Sequence, residues 1–198
     1  MRINFPNIKT HRTEDFTVLD FDTEQGKYYA QRTFRRVPEI TGVNYNHYHC
    51  YVTRHITSRQ RLEMIDYCLA NQKTLYKKAV KLVFIDGIAD LVDNTNDIVM
   101  SKEASDYLMS WTHDYNIHIM TVIHKNGSTG KPLGHLGTYM LKKAESIIEL
   151  EVNEDKTINS DFSLRYYDLV DTIDGYAVGK VFPDLKVAIM AVSYTHLR

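Results

Sequence analysis

Two short stretches of the chain are apolar at nearly every position, and each ends in a polar residue. They cover residues 82–85, followed by Asp86, and residues 117–123, followed by His124. Near-continuous apolar runs of this kind are typical of parallel strands that helices cover on both faces. The pattern therefore predicts two neighbouring parallel strands, with Asp86 and His124 at the same edge of the sheet.

Three further segments have the pattern of strands. Residues 16–21 are largely apolar and lead into Asp22-Thr23-Glu24, and residues 48–52 and 147–152 are similarly rich in apolar or aromatic side chains. In open α/β sheets a ligand binds beyond the carboxyl ends of the strands. We therefore expect Glu24 to lie close to the polar residues that end the first two runs.

Between the strands, apolar residues recur at the spacing of helices that pack on a sheet. Ser101 is predicted as the N-cap of one helix, with Glu103 in its first turn. Ser58 is predicted to open a second helix, and Pro38 and Gly42 to end a third. Strands that alternate with helices of this length predict an α/β fold with a mainly parallel sheet.

Composition narrows the class of protein without naming a function. The chain has 198 residues, 43% of them hydrophobic, a formal net charge of -1 and two cysteines. These values fit one α/β domain in a reducing, cytoplasmic setting, without a disulfide framework or a membrane span. Arg32, Arg35 and Arg36 form a local basic face, for which a solvated helix surface is the simplest interpretation.

The order of these motifs resembles that of a known family. Residues 81–92 resemble a Walker B strand, residues 117–125 resemble a sensor strand, and a loop with Gly134 and Gly137 follows. Together with the Asp-Thr-Glu segment, residues 15–152 resemble RecA-like P-loop ATPases. The similarity is to the hexameric-helicase and RepA-like branch, which includes ATPases encoded by bacterial mobile elements.

The resemblance implies a three-layer RecA-like core and a role for each motif. Asp86 would hold Mg²⁺ through bound water beside ATP. Glu24 would orient and deprotonate the attacking water, and His124 would sense the γ-phosphate. Lys131 would reach a nucleotide on the neighbouring subunit or a DNA phosphate, unless it is simply a solvated loop residue. The implied protein is a DNA-associated homo-oligomer, a hexamer, with a role in plasmid replication, mobilisation or helicase activity.

One essential part of that family is missing from the sequence. Residues 127–132, Gly-Ser-Thr-Gly-Lys-Pro, do not match G-x-x-x-x-G-K-[ST], and they follow the wrong strand. We therefore expect residues 1–198 to be one partial domain that lacks its first strand and P-loop and is inactive alone. Its core would span about residues 15–152, with C-terminal strands at 153–191. Residues 192–198 resemble translated sequencing adapter and are expected to be an artefactual tail.

A DEDD-type 3′–5′ exonuclease is the first alternative. Asp22 and Glu24 would bind two metal ions, Asp86 would add a third carboxylate, and Tyr167 and Asp171 would complete the set. That fold requires an antiparallel group of strands around the first carboxylates, whereas the runs described above predict parallel strands.

A non-catalytic metal-binding or interaction module is the second alternative. Its candidate ligands are His47, His49, Cys50 and His55, which lie in or beside one predicted strand. No second pair of ligands at zinc spacing occurs elsewhere in the sequence. Incidental polarity of the strand explains these residues better.

Overall fold

The computed structural model describes residues 16–42, 44–126 and 131–152, and the backbone pairing of four later strands; side chains are described as far as Ile148. The helices are α1 Lys27–Thr41, α2 Ser58–Ala70, α3 Gln72–Leu75, α4 Ile98–Asp114 and α5 Gly134–Lys143, with a short 3₁₀ helix at Ile88–Leu91. The strands are β1 Thr17–Asp22, β2 Tyr48–Val52, β3 Val80–Asp86, β4 His118–His124, β5 Ser146–Val152, β6 Ile158–Leu164, β7 Val170–Ile173, β8 Tyr176–Gly179 and β9 Val187–Tyr194.

Seven strands form one sheet in the order β2-β1-β3-β4-β9-β5-β6. β2, β1, β3 and β4 pair in parallel, and β9 is parallel to both β4 and β5. β6 runs antiparallel to β5, and β7 and β8 form a separate antiparallel pair. The chain is therefore an α/β protein with a three-layer core, and the predicted parallel neighbours β3 and β4 are confirmed.

β9 includes the beginning of the expected artefactual tail. Its last residues pair with the end of β5, where Glu151 lies opposite Ser193 and Val152 lies opposite Tyr194. Residues 195–198 lie outside the described part of the chain.

The helix starts and ends were predicted with mixed success. α2 begins at Ser58 as predicted, because the Thr57 side chain and Gln60 form a capping box. The prediction that Ser101 caps α4 is wrong. Asp97 is the N-cap, its side chain accepting from the Met100 N–H, and Ser101 lies buried in the first turns, where its hydroxyl bonds the Thr95 carbonyl.

The predicted end of α1 is half right. The helix continues through Pro38 to Thr41, so the proline does not end it. Proline lacks an N–H and its ring crowds the carbonyl four residues earlier, but only three residues of α1 follow Pro38. Gly42 then terminates α1 as predicted, with a φ of 70° and an N–H bond to the Pro38 carbonyl.

The two faces of the sheet are covered to different extents. We call one the buried face; its β1, β3 and β4 side chains pack with α2, α4 and α5 and are at most 1% exposed (Leu19, Phe21, Val83, Ile85, Ile119 and Ile123). The opposite face, called the open face, carries side chains that are only partly buried (Val18, Asp20, Leu82, Phe84, Met120 and Val122). On the open face α1 packs against β2, with Phe34 edge-on to Tyr48.

Candidate functional site

The end of β1 is organised by a buried aspartate. Asp22 is 1% exposed, and its Oδ1 accepts hydrogen bonds from the backbone N–H groups of Glu24 at 3.1 Å and Gln25 at 2.8 Å. Such a turn closes the chain directly after the strand. It places Glu24 on the outside of the turn, with its side chain 40% exposed.

Thr23 fastens the end of β1 to the end of β3. It is buried, and its Oγ1 lies 2.8 Å from the Asp86 carbonyl oxygen, 3.0 Å from the Gly87 carbonyl oxygen and 2.8 Å from Asp90 Oδ2. The Thr23 N–H also donates to the Asp86 carbonyl at 3.1 Å. In the register of the two strands Asp22 lies opposite Asp86. The turn after β1 is therefore held beside the end of β3.

Gly87 allows this close approach. Its φ of 101° favours glycine, and a Cβ at this position would lie 2.3 Å from Thr23 Oγ1 and 2.8 Å from Glu24 Cγ. A side chain at position 87 would therefore push the turn, and Glu24 with it, away from Asp86.

The central contact of the site joins the ends of β1 and β4. His124 Nε2 lies 3.2 Å from Glu24 Oε1 and 3.4 Å from Oε2, and both side chains are about 40% exposed. Since β3 lies between β1 and β4, this contact reaches across the strand that ends at Asp86. The prediction that Glu24, Asp86 and His124 meet at one edge of the sheet is confirmed.

Negative charge is concentrated at this edge. Burial raises the pKa of Asp86, the charges of Asp22 and Glu24 raise it further, and His124 opposes the shift. Asp22 Oδ2 is buried and has no hydrogen-bond partner among the described residues. Carboxylates arranged in this way suit a hard cation such as Mg²⁺, which would relieve their repulsion.

These side chains do not enclose a cation by themselves. In the described ranges no group of three or more His, Cys, Asp or Glu residues is placed to hold a metal ion. Mg²⁺ commonly keeps several waters and needs only one or two carboxylates beside the phosphates of a nucleotide. The residues at the edge thus fit a water-mediated Mg²⁺ site better than a closed one.

Lys131 lies at the C-terminal end of the loop that follows β4. Its backbone carbonyl accepts a hydrogen bond from the Asn126 N–H at 2.7 Å, and Lys125 and Pro132 form an isolated antiparallel bridge. Residues 127–130, between these two ends, lie outside the described part of the chain. The Lys131 side chain is exposed. Its role with a nucleotide or DNA phosphate stays a prediction.

The two glycines that follow this loop allow α5 to dock closely. At Gly134, with a φ of 65°, a Cβ would lie 2.5 Å from the Thr95 carbonyl oxygen; at Gly137 it would lie 2.6 Å from Pro132 Cβ. The Leu136 N–H also donates to the Thr95 carbonyl at 3.1 Å. This docking holds the chain that returns from the loop.

Two of the candidate ligands of the metal-binding alternative, His49 and Cys50, lie on opposite faces of the sheet. The His49 ring lies 4.8 Å from the ring of Tyr76, which belongs to the buried core, whereas Cys50 lies opposite Asp20 on the open face. Burial and the neighbouring His47 lower the pKa of His49. The arrangement does not support a shared metal site.

The exonuclease alternative also lacks support. Asp22 and Asp86 lie side by side, as it requires, but both neighbours of β1 are parallel to it. Tyr167 lies outside the described residues, and Asp171 is described only through the pairing of β7.

No protein-family model and no curated protein matches this chain. Among the described residues no helix is long and apolar enough to cross a membrane.

Proposed function

We propose that the edge formed by Glu24, Asp86 and His124 is the metal- and water-binding half of an ATP-hydrolysing site of the RecA-like kind. The observation that carries the proposal is the contact between Glu24 and His124 across the end of β3, where Asp86 lies. The three residues come from the ends of three strands: Glu24 is the potential base, Asp86 the potential Mg²⁺ carboxylate and His124 the potential phosphate sensor.

Asp86 is the residue that would hold Mg²⁺, with the charge of buried Asp22 beside it. The cation would neutralise charge on the phosphates during phosphoryl transfer. Glu24 is exposed enough to meet a water molecule, and its carboxylate would accept the proton that the water loses.

His124 links the base to the substrate in this proposal. In the tautomer with a proton on Nε2, it donates to the Glu24 carboxylate at 3.2 Å. A γ-phosphate at the same edge would compete for that N–H. His124 would then turn from Glu24 to the phosphate, and the carboxylate would become available to the attacking water.

The 198 residues include no recognisable phosphate loop, because the sequence contains no G-x-x-x-x-G-K-[ST] motif. Backbone N–H groups and the lysine of such a loop provide most of the hold on the phosphates. We therefore expect the 198-residue chain to bind Mg²⁺·ATP weakly and to show no turnover. Association with DNA, a hexameric assembly and a cytoplasmic role in plasmid replication, mobilisation or helicase activity belong to the same proposal and rest on the sequence resemblance.

ATP hydrolysis by two forms of the chain tests this function. Adding an N-terminal segment that carries a strand and a P-loop should produce Mg²⁺-dependent phosphate release. That release should be lost in Glu24→Gln and Asp86→Asn and kept in Asp114→Asn, which changes an exposed carboxylate at the end of α4. Saturable hydrolysis by the 198-residue chain itself, abolished by Glu24→Gln, would contradict the proposal that these residues lack the phosphate-binding part of the site.

A further inference from the structure

The outward side of α1 combines aromatic and basic side chains that the candidate site does not use. Tyr28 and Tyr29 are 72% and 63% exposed, and their rings meet edge to face with centroids 5.3 Å apart. Arg32, Arg35 and Arg36 are exposed as well. A helix advances about 100° per residue, so these five side chains fall within an arc of roughly 120°. We call this set the α1 outer surface.

The α1 outer surface carries more positive than negative charge. Glu39 lies on the same side of the helix, three positions after Arg36 and four after Arg35, and offsets only part of the charge of the three arginines. None of its three arginines forms an ion pair within the described residues, although the whole chain has a net charge of -1. The guanidinium group of Arg54 lies close to Gly26, at the start of the helix, and extends the basic region. An anionic partner would therefore meet concentrated positive charge at this place.

Some of the charges of α1 oppose the formation of the helix. Its first turn has no acidic residue and begins with Lys27, and no side chain caps its N-terminus. A cation at this end opposes the helix dipole, and the like charges of Arg32 and Arg36, four positions apart, cost a few tenths of a kcal/mol. Helix formation alone does not explain this distribution of charge.

We propose that the α1 outer surface binds single-stranded DNA. Arginines hold phosphates, and exposed aromatic rings stack on bases, which a single strand offers and a duplex hides. From Tyr28 to Arg36 the surface extends about 12 Å along the helix, which is the length of a few nucleotides of a single strand. The choice of DNA rests on the proposed function, whereas the location rests on α1 alone.

The surface also lies next to the candidate site. α1 begins three residues after Glu24, and the turn that presents Glu24 leads directly into the helix. A strand bound at Tyr28 and Tyr29 would therefore lie on the helix that continues directly from the segment that positions the proposed base.

Fluorescence anisotropy of a labelled oligothymidylate, titrated with the full chain over a series of salt concentrations, tests the proposal. Arg32→Gln/Arg35→Gln/Arg36→Gln should weaken binding and reduce the slope of log K against log[salt] by about 2, since each phosphate contact contributes about 0.7. Tyr28→Ala/Tyr29→Ala should weaken binding at least about fivefold without changing the slope, as expected for lost stacking.

Matched controls use exposed residues elsewhere. Lys73→Gln/Lys77→Gln/Lys78→Gln removes the same charge around and after α3, and Tyr67→Ala removes a tyrosine that is 59% exposed. Both controls should bind like the unmodified chain. The titration contains neither ATP nor Mg²⁺, so failure of the proposed hydrolytic function would leave this result intact. Circular dichroism should show that all variants are folded.

Several outcomes would overturn the proposal. One is equal weakening by the arginine and lysine triple variants, which would indicate general charge attraction. Others are oligouridylate binding as tight as oligothymidylate through the same residues, or binding to anionic vesicles through these residues with no oligothymidylate binding. Unchanged affinity in the arginine variant would also exclude α1.

Discussion

The two faces of the parallel sheet are built from alternate residues of the same strands, yet they are used differently. On the buried face Ile85 is fully covered by the core, whereas its neighbour Phe84 is only partly buried on the open face. The buried face carries the stability of the domain. The open face keeps polar side chains, among them Asp20 and Tyr48, within a largely apolar surface.

The largest expected effect is on the free energy of unfolding, and it differs between two neighbouring residues of β3. Ile85→Ala should lower the free energy of unfolding by about 2–5 kcal/mol, because it leaves a cavity in a closely packed core. Phe84→Ala should cost clearly less, although it removes a larger side chain, because the phenyl ring keeps part of its contact with water. Urea denaturation of both variants measures the difference. Equal losses would show that the two faces are equally covered.

A pH titration of stability is expected to show the next largest effect. Burial raises the pKa of Asp20 to about 6, against a hydrogen bond from Tyr48 that lowers it and the charges of Asp86 and Asp22 that raise it. The folded chain then holds this proton more tightly than the unfolded chain. Stability contributed by Asp20 is therefore present below its unfolded value of 3.8 and falls as the pH rises towards 6, by about 2–3 kcal/mol at most.

Asp20→Asn isolates that effect. Its unfolding free energy should vary less between pH 4 and pH 6 than that of the unmodified chain, as followed by denaturant titration at each pH. Asp114→Asn, which alters an exposed carboxylate, should leave the pH dependence unchanged. The interpretation fails if Asp20→Asn retains the full pH dependence.

The smallest effect compares two glycines with positive φ. Gly87→Ala should destabilise the chain by about 1 kcal/mol more than Gly42→Ala, since both introduce backbone strain but only position 87 adds a clash. At Gly42 nothing lies within 4 Å of the added carbon. Thermal unfolding measures both. Equal losses of stability would show that the turn around Thr23 and Glu24 moves to accommodate the added carbon without further destabilising the chain.

The sequence predicted the strands best. Residues 82–85 and 117–123 are apolar at nearly every position, so their pairing as parallel neighbours followed from their pattern. The position of Asp86 and His124 at the same edge of the sheet followed from it as well. The same pattern predicted helices over both faces. It could not show that cover would be complete on one face and partial on the other, because alternate positions are equally apolar.

The supporting residues of the site could not be predicted in the same way. Thr23 acts through contacts with Asp86 and Gly87, 63 and 64 residues away, and nothing local to it indicates such partners. Its role and that of Gly87 depend on the register of β1 and β3. The misplaced start of α4 has a local cause: Asp97 and Ser101 are both good N-cap residues, and only packing decides between them.

Paramagnetic broadening by Mn²⁺, used in place of Mg²⁺, tests whether the end of β3 binds a divalent cation. In NMR spectra of the ¹⁵N-labelled chain, low concentrations of Mn²⁺ should selectively broaden the backbone signals of Glu24, Gly87 and His124, and Asp86→Asn should abolish the broadening. Asp114→Asn should keep the broadening. Broadening centred on His47 and His49, or unchanged broadening in Asp86→Asn, would contradict a metal site at the end of β3.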